Sequence, residues 1–184
     1  MKKIIITLLY IIFITTISNS QEKEYLTLFD FKVTDIDGKK FDFEDLRGHK
    51  VMVVNVASNC GFTPQYKELQ ELYDAYKHKK FTIIGIPSND FKNQEPGSNK
   101  EIKEFCTNSY SITFPLMEKT IVKGDSIAPL YSWLTKKEEN GVFNQEVTWN
   151  FQKYLIDRNG NLVKVLMPKE SPKDKIVLDW LEGD

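Results

Sequence analysis

The sequence predicts one α/β domain, in which a central mixed β-sheet is flanked by helices on both faces and preceded by an N-terminal β-hairpin. Two continuous apolar runs of strand length, VMVVNVA at 51–57 and FTIIGIP at 81–87, are typical of strands buried on both faces. A helical pattern follows each run, which predicts a strand–helix–strand–helix order. A hairpin pattern and a final helix complete the chain, so the sheet is expected to contain strands of both directions.

Turn and capping signals predict the first elements. Asp37-Gly38 lies between two alternating segments and indicates the tight turn of the N-terminal hairpin. After the first buried strand, Thr63-Pro64 is predicted to form the N-cap and first residue of a helix that continues to about Lys79. The residues that recur at helical spacing in this segment are Tyr66, Leu69, Tyr73 and Tyr76.

The second half of the chain is predicted from similar signals. Ser98 and Glu101 form a capping box that opens a second helix. The apolar side of this helix carries Ile102, Phe105 and Cys106. The stretch 128–136 is expected to be helical, Asn159-Gly160 indicates the turn of another hairpin, and a last helix is predicted to begin with Pro172. This order of elements is compatible with a thioredoxin-like arrangement.

Residues 1–20 are interpreted as a secretory signal peptide, so the domain is expected to span residues 21–184. A basic start precedes the uncharged apolar stretch 4–17, and the small residues at 18–20 offer a cleavage site. Because the apolar stretch is shorter than the roughly 18 to 20 residues of a membrane span, cleavage is favoured over membrane anchoring. The protein is therefore expected to be exported, to a periplasmic or extracellular location.

Charge and the spacing of ligand-type residues argue against two classes of function. The formal net charge of the sequence is −1, and loss of Lys2 and Lys3 with the signal peptide changes it to −3. Basic and acidic residues are interspersed, so no nucleic-acid-binding surface is predicted. The two cysteines and two histidines show no metal-ligand spacing, so no metal site is expected.

Cys60 is a candidate nucleophile because of its place between a strand and a helix. It lies just past the carboxyl end of a central strand, where the active sites of open α/β sheets gather. Backbone N–H groups and the helix dipole favour an anion there, and the thiolate is the nucleophilic form of cysteine. An inert buried cysteine and half of a structural disulfide remain open alternatives. A thioredoxin-type dithiol is excluded, since the Cys60-Gly61-Phe62-Thr63 segment lacks the second cysteine of a Cys-x-x-Cys motif.

Four stretches resemble the signature of the glutathione peroxidase family. They are NVASNCGFTPQY at 55–66, NDFKNQEPGSNKEI at 89–102, FPLMEK at 114–119 and WNFQKYLIDRNG at 149–160. They occur in the family's order and approximate spacing, and the similarity covers nearly all of the mature chain. The resemblance implies a thioredoxin-like fold and reduction of hydroperoxides, with Cys60 at the position of the catalytic cysteine or selenocysteine.

The same resemblance implies catalytic roles for Gln94, Trp149 and Asn150. Their amide and indole N–H groups can donate hydrogen bonds to a thiolate and to the departing peroxide oxygen, and none of them competes as a nucleophile. Taken singly, Gln94 would be a surface loop residue, Trp149 a core residue and Asn150 a turn or cap residue. Their occurrence together with Cys60 favours the catalytic interpretation.

Cys106 is the only other cysteine that could resolve a sulfenic acid formed at Cys60. Many cysteine-type members of the family supply a resolving thiol from this helix and resemble thioredoxin-dependent peroxidases more than glutathione-using enzymes. The plant-type pattern places that thiol at Thr107, one residue and about 100° of helix away. The alternative is that Cys106 packs with Ile102 and Phe105 as a small core residue.

Departures from the family pattern bear on the reductant and the assembly. KVLMP at 164–168 replaces a frequent Lys-Arg-Tyr-x-Pro, and loss of that arginine weakens the case for glutathione, an anionic tripeptide. Ser88 stands in place of a further cysteine, and Lys92-Asn93 where paired glycines are common. The short segment between FPLMEK and TWNF, as in phospholipid-hydroperoxide and plant-like members, implies a monomer whose open site accepts bulky hydroperoxides.

The sequence therefore predicts an exported thiol peroxidase that needs no cofactor and is recycled by thioredoxin or glutathione. One alternative is a thiol–disulfide exchange protein of the same fold. Another is an exported redox sensor with little peroxide turnover. The presence of Gln94, Trp149 and Asn150 favours turnover over sensing.

Overall fold

The computed structural model describes residues 24–183, and the expected signal peptide lies outside them. Strands in this part of the chain are β1 (Lys32–Thr34), β2 (Lys40–Asp42), β3 (Lys50–Val56), β4 (Phe81–Pro87), β5 (Lys153–Ile156) and β6 (Leu162–Leu166). The α-helices are α1 (Gln65–Tyr76), α2 (Asn99–Tyr110), α3 (Pro129–Thr135), α4 (Lys137–Asn140) and α5 (Lys175–Glu182). Short 3₁₀ helices cover Leu28–Asp30, Phe43–Leu46 and Lys77–Lys79. Within residues 24–183, no helix combines the length and the apolar character that a membrane crossing requires.

β3 occupies the interior of a four-stranded sheet whose order is β4-β3-β5-β6. It pairs in parallel with β4, so that Val53 lies opposite Ile84, and antiparallel with β5, so that Val53 also faces Tyr154. β5 and β6 pair antiparallel. The sheet is therefore mixed, and the two apolar runs form strands that are buried along their whole length, as predicted.

Alternate residues of β3 enter two apolar cores, one on each face of the sheet. On one face Met52 and Val54 pack with apolar residues of α1, α2 and α5. On the other face Val51 and Val53 pack with α3 and with the 3₁₀ helices that flank the N-terminal hairpin. Helices cover both faces, which confirms the predicted fold class.

Both predicted hairpins are present. In the N-terminal one, β1 and β2 pair antiparallel around a turn in which Gly38 has a φ of +80°. In the other, the Asp157 N–H donates to the Asn161 carbonyl at 2.9 Å, and Gly160 has a φ of +86°. Only glycine adopts such a φ without strain, which is why these turn signals were informative.

The start of α1 differs from the expectation at Thr63. The helix begins at Gln65, and the Thr63 hydroxyl does not cap it. This hydroxyl donates to the Ala57 carbonyl at 2.8 Å and accepts from the Cys60 N–H at 3.0 Å. Thr63 therefore closes the loop around Cys60 instead of capping the helix.

The start of the last helix also differs. α5 begins at Lys175, although Pro172 was expected to be its first residue. The Ser171 N–H donates to the Asp174 carboxylate at 3.0 Å, which holds this segment in a turn before the helix. The turn forms here in place of a first helical turn, because proline is compatible with the first position of a helix but does not itself start one.

Candidate active site

Cys60 lies in the loop between β3 and α1, with a side chain that is 7% exposed. Its Sγ atom accepts a hydrogen bond from the Phe62 backbone N–H at 3.4 Å, and its carbonyl accepts one from the Thr63 N–H at 3.0 Å. A backbone donor directed at the sulfur can stabilise a thiolate, which is the reactive form. The loop therefore presents the sulfur at the edge of the sheet that the sequence indicated.

Both cysteines are free thiols in this structure. The structural disulfide that the sequence left open is thus not formed. Two free thiols in one domain are the starting state that a redox cycle requires.

Gln94 and Asn150 are brought together from distant parts of the chain. The Asn150 Nδ2 atom donates to the Gln94 Oε1 atom at 2.9 Å, and Asn150 is fully buried. The Gln94 carbonyl accepts from the N–H of Asn59, the residue next to Cys60, at 3.0 Å. The loop that carries Gln94 is therefore tied to the Cys60 loop on one side and to Asn150 on the other.

Trp149 lies beside this pair and is half-buried. Its ring contacts the Phe91 ring with centroids 5.4 Å apart, and the Lys92 ammonium lies 5.7 Å from its centroid. Among the described residues, no hydrogen bond joins the Cys60 sulfur to the side chain of Gln94, Trp149 or Asn150. The structure therefore ties Gln94 to the Cys60 loop and Asn150 to Gln94, without direct hydrogen bonds to the sulfur.

Asn55 positions the segment that carries Trp149 and Asn150. Its Nδ2 atom donates to the Trp149 carbonyl at 3.0 Å, and its Oδ1 atom accepts from the Gln152 N–H at 3.1 Å. The Phe151 N–H donates to the Asn55 carbonyl, and Phe151 has a φ of +66°, a strained value for a bulky residue. Asn55 was missed as a site residue, although one buried amide in the otherwise apolar run VMVVNVA was a usable signal.

Cys106 lies in α2 and is completely buried in the core. Burial raises the pKa of its thiol to about 11, while the neighbouring Tyr66 hydroxyl acts to lower it. Thr107, the position given by the plant-type pattern, is exposed. The predicted capping box fixes the start of α2, since the Ser98 N–H donates to the Glu101 carboxylate at 2.7 Å. In the reduced protein Cys106 is therefore a core residue.

The family model described as glutathione peroxidase matches residues 28–135. The chain belongs to the glutathione peroxidase family. Over 147 residues it is 44% identical to the glutathione peroxidase homolog BsaA of Halalkalibacterium halodurans, with coverage of 80% of this chain and 93% of that relative. Over 138 residues it is 45% identical to glutathione peroxidase-like peroxiredoxin 2 of Saccharomyces cerevisiae, with coverage of 75% and 85%. The crystal structure of T. cruzi GPX1 matches with a TM-score of 0.67 and 31% identity, covering 86% of this chain and 98% of that one.

These similarities make the chain a thiol-dependent peroxidase, an oxidoreductase that reduces hydroperoxides. The thioredoxin-like fold expected from the sequence is confirmed as well. A sensor or exchange protein without peroxide turnover is not favoured by these relatives.

Proposed function

We propose that Cys60 is the nucleophile of this glutathione peroxidase-like enzyme. The observation that carries the proposal is the geometry of the Cys60 loop. The Cys60 sulfur accepts a hydrogen bond from the Phe62 N–H, and the N–H of the neighbouring Asn59 donates to the Gln94 carbonyl. The Cys60 thiolate attacks the terminal peroxide oxygen, so that a sulfur–oxygen bond forms while the oxygen–oxygen bond breaks. The departing oxygen takes up a proton and leaves as water or an alcohol, and Cys60 becomes a sulfenic acid.

Gln94 is proposed to donate a hydrogen bond to the reacting atoms, with Asn150 as its positioning residue. Because the Asn150 amide donates to Gln94 Oε1, the Gln94 Nε2 group is the end left to donate. Trp149 is proposed to add its indole N–H from the neighbouring position. Fixed donors of this kind stabilise negative charge on the sulfur and on the departing oxygen.

Replacing Gln94 or Asn150 with alanine, or Trp149 with phenylalanine, is expected to slow oxidation of Cys60 by about tenfold to a thousandfold. The reductive half of the cycle should change less, because these donors act on the peroxide. The second-order rate constant with peroxide, measured by stopped-flow on the reduced protein, checks this. Gln145→Ala serves as the control, since Gln145 is only partly buried and its side chain bonds only to the neighbouring Glu146 carbonyl among the described residues.

The positioning role of Asn150 has a sharper test. If Asn150 acts through Gln94, the variant with both alanine substitutions should react about as slowly as Gln94→Ala alone. Fully additive losses would show that Asn150 has a separate role. Unaltered oxidation rates in all three single variants would leave these residues with structural roles only.

We also propose that Cys106 resolves the sulfenic acid and that a thioredoxin-like protein reduces the resulting disulfide. The proposal is supported by the two free thiols and by the name peroxiredoxin given to the yeast relative. Glutathione is the alternative reductant. Because a disulfide requires Cα atoms roughly 4.4 to 6.8 Å apart, α2 would have to unwind locally to deliver the buried thiol.

The proposed substrates are hydrogen peroxide and organic or lipid hydroperoxides, and the proposed cellular role is protection in oxidative stress. We propose a monomer that uses no metal or prosthetic group, with the thiol reductant as co-substrate. Purified mature protein, assayed with several peroxides and with thioredoxin or glutathione as the electron donor, tests both the substrate range and the reductant.

Export is proposed from the sequence of residues 1–20. The mature chain is expected to begin near Gln21, because the small residues before it fit a signal-peptidase site. Mass spectrometry of the native protein gives the N-terminus directly. Retention of Met1 or Lys2 would refute cleavage and would favour an anchored or cytoplasmic protein.

A further inference from the structure

Buried polar atoms collect between the Cys60 loop and α2. The Glu95 side chain is 1% exposed, and its Oε2 atom has no hydrogen-bond partner among the described residues. The buried hydroxyls of Ser58 and Tyr66 also have no hydrogen-bond partner among the described residues. Buried polar atoms are normally paired, so this group requires an explanation.

These groups connect the two cysteines. Ser58 lies two positions before Cys60, and its hydroxyl and backbone N–H act to lower the pKa of the Glu95 carboxyl. The Tyr66 hydroxyl acts to lower the pKa of the Cys106 thiol, and the charge of Glu95 acts to raise the pKa of both groups. A cleft of about 230 Å³ is lined by Ser58 and Glu95 on one side and by residues of α2 on the other. Glu95 therefore lies between the loop of the nucleophile and the helix of the second thiol.

The surroundings of Glu95 make its carboxylate a stronger base than that of an exposed glutamate. Burial raises the pKa of its carboxyl, while the Ser58 contacts and the charge of Lys119 oppose this rise. The Lys119 ammonium is engaged with backbone carbonyls, those of Glu95 at 3.3 Å and Gly97 at 2.6 Å. Among the described residues, the other titratable groups near Glu95 are Glu101, Tyr66 and Cys106. Glu101 lines the same cleft from α2. Tyr66 and Cys106 are protonated near neutral pH because burial raises each pKa.

We propose that Glu95 carries the proton of the resolving step. The Glu95 carboxylate takes the proton from the Cys106 thiol, whose sulfur then uses its electron pair to bond to the Cys60 sulfur. The sulfur–oxygen bond of the sulfenic acid breaks, its electron pair leaves with the oxygen, and the departing hydroxide recovers the proton from Glu95 as water. Cys106 is oxidised, Cys60 is reduced, and no further reactant is needed. This inference rests on the proposed function of the two cysteines.

The decisive experiment separates resolution from peroxide attack in the Glu95→Gln variant. Reduced protein is mixed with hydrogen peroxide, quenched with a thiol-alkylating reagent at set times, and analysed by mass spectrometry for sulfenic acid and for the Cys60–Cys106 disulfide. Sulfenic acid should form at the wild-type rate, while the disulfide should form about a hundredfold more slowly near pH 7, as expected for loss of a general base. Glu104→Gln, which changes an exposed carboxylate of α2, the helix that carries Cys106, should behave like the wild type.

The pH profile of resolution distinguishes proton transfer from a structural effect. Wild-type resolution should level off above the titration of Glu95, whereas the Glu95→Gln rate should climb about tenfold per pH unit, because thiol ionisation alone then supplies the nucleophile. Ser58→Ala should move the wild-type midpoint to higher pH, since the lost hydroxyl acts to lower the Glu95 pKa. Identical rates and profiles in wild type and Glu95→Gln would overturn the proposal, as would an unmoved midpoint in Ser58→Ala.

Thermal unfolding provides an independent check on the buried charge. Because the pKa of Glu95 is raised in the folded state, protonated Glu95 favours folding at low pH. This contribution to the free energy of unfolding is lost as the pH rises through the folded-state pKa. The melting temperature of Glu95→Gln relative to wild type should therefore increase between pH 4 and pH 8. A constant difference would contradict the burial of a carboxylate. Absence of the Cys60–Cys106 disulfide in the wild type would instead refute the proposed resolving role of Cys106, on which this inference rests.

Discussion

Cys60→Ser is expected to abolish peroxide reduction, with a loss of about a thousandfold or more, because no other group in the site can act as a thiolate nucleophile. The substitution should leave the domain folded. The Cys60 loop is held by the Thr63 hydroxyl through the Cys60 backbone N–H, and this bond does not involve the cysteine side chain. Peroxide consumption in the presence of a thioredoxin system measures the loss, and circular dichroism with thermal unfolding verifies the fold.

The matched control for Cys60→Ser is the other cysteine. A Cys106 variant should still consume one equivalent of peroxide in its first turnover, whereas Cys60→Ser should consume none. Turnover at the wild-type rate in folded Cys60→Ser would refute the proposed nucleophile and, with it, every role assigned around it.

Substitution of Cys106 should stop multiple turnover while leaving the first reaction intact. Cys106→Ser and Cys106→Ala are both needed, because a buried hydroxyl without a partner costs about 1–3 kcal/mol of stability and alanine avoids that cost. With thioredoxin as the donor, steady-state turnover of each variant should fall about a hundredfold or more, since the sulfenic acid no longer becomes the disulfide that thioredoxin reduces. Stopped-flow oxidation by peroxide should remain at the wild-type rate.

The wild-type protein provides the companion observations. One equivalent of peroxide should yield a Cys60–Cys106 peptide pair, and amide exchange between Asn99 and Ser111 should be faster in the oxidised protein, because α2 must open. Full turnover of both Cys106 variants with thioredoxin would make the protein a one-cysteine peroxidase. Cys106 would then be a core residue only.

Elements with a local cause were predictable from the sequence. The turn at Asp37-Gly38 and the capping box of Ser98 and Glu101 depend on residues within a few positions of each other, and both are present. Thr63 was different, because its hydroxyl could either cap α1 or donate a hydrogen bond to the Ala57 carbonyl, and it does the second. That carbonyl comes within reach only when the loop folds back, which local pattern does not reveal.

The site shows the same division between local and long-range causes. The position of Cys60 followed from a strand and a helix adjacent in sequence. The pairing of Gln94 with Asn150 could not be derived from spacing and was expected only through family resemblance, because tertiary packing alone brings them together. The environment of Glu95 was not anticipated, since its burial depends on the packing of α2 and the Cys60 loop around it.

The complete burial of Cys106 links the catalytic cycle to the lifetime of the protein. If Cys106 resolves the sulfenic acid, each turnover removes its side chain from the core, and that packing is lost. The Cys60–Cys106 disulfide offsets this loss, because a cross-link that closes a chain loop of this size stabilises the folded state by about 4 kcal/mol. The oxidised enzyme would then remain globally folded while exposing the backbone of α2, which is the kind of segment that proteases cleave. A shortage of reductant would thus leave the enzyme inactive and also hasten its removal, so that its abundance would follow the supply of electrons.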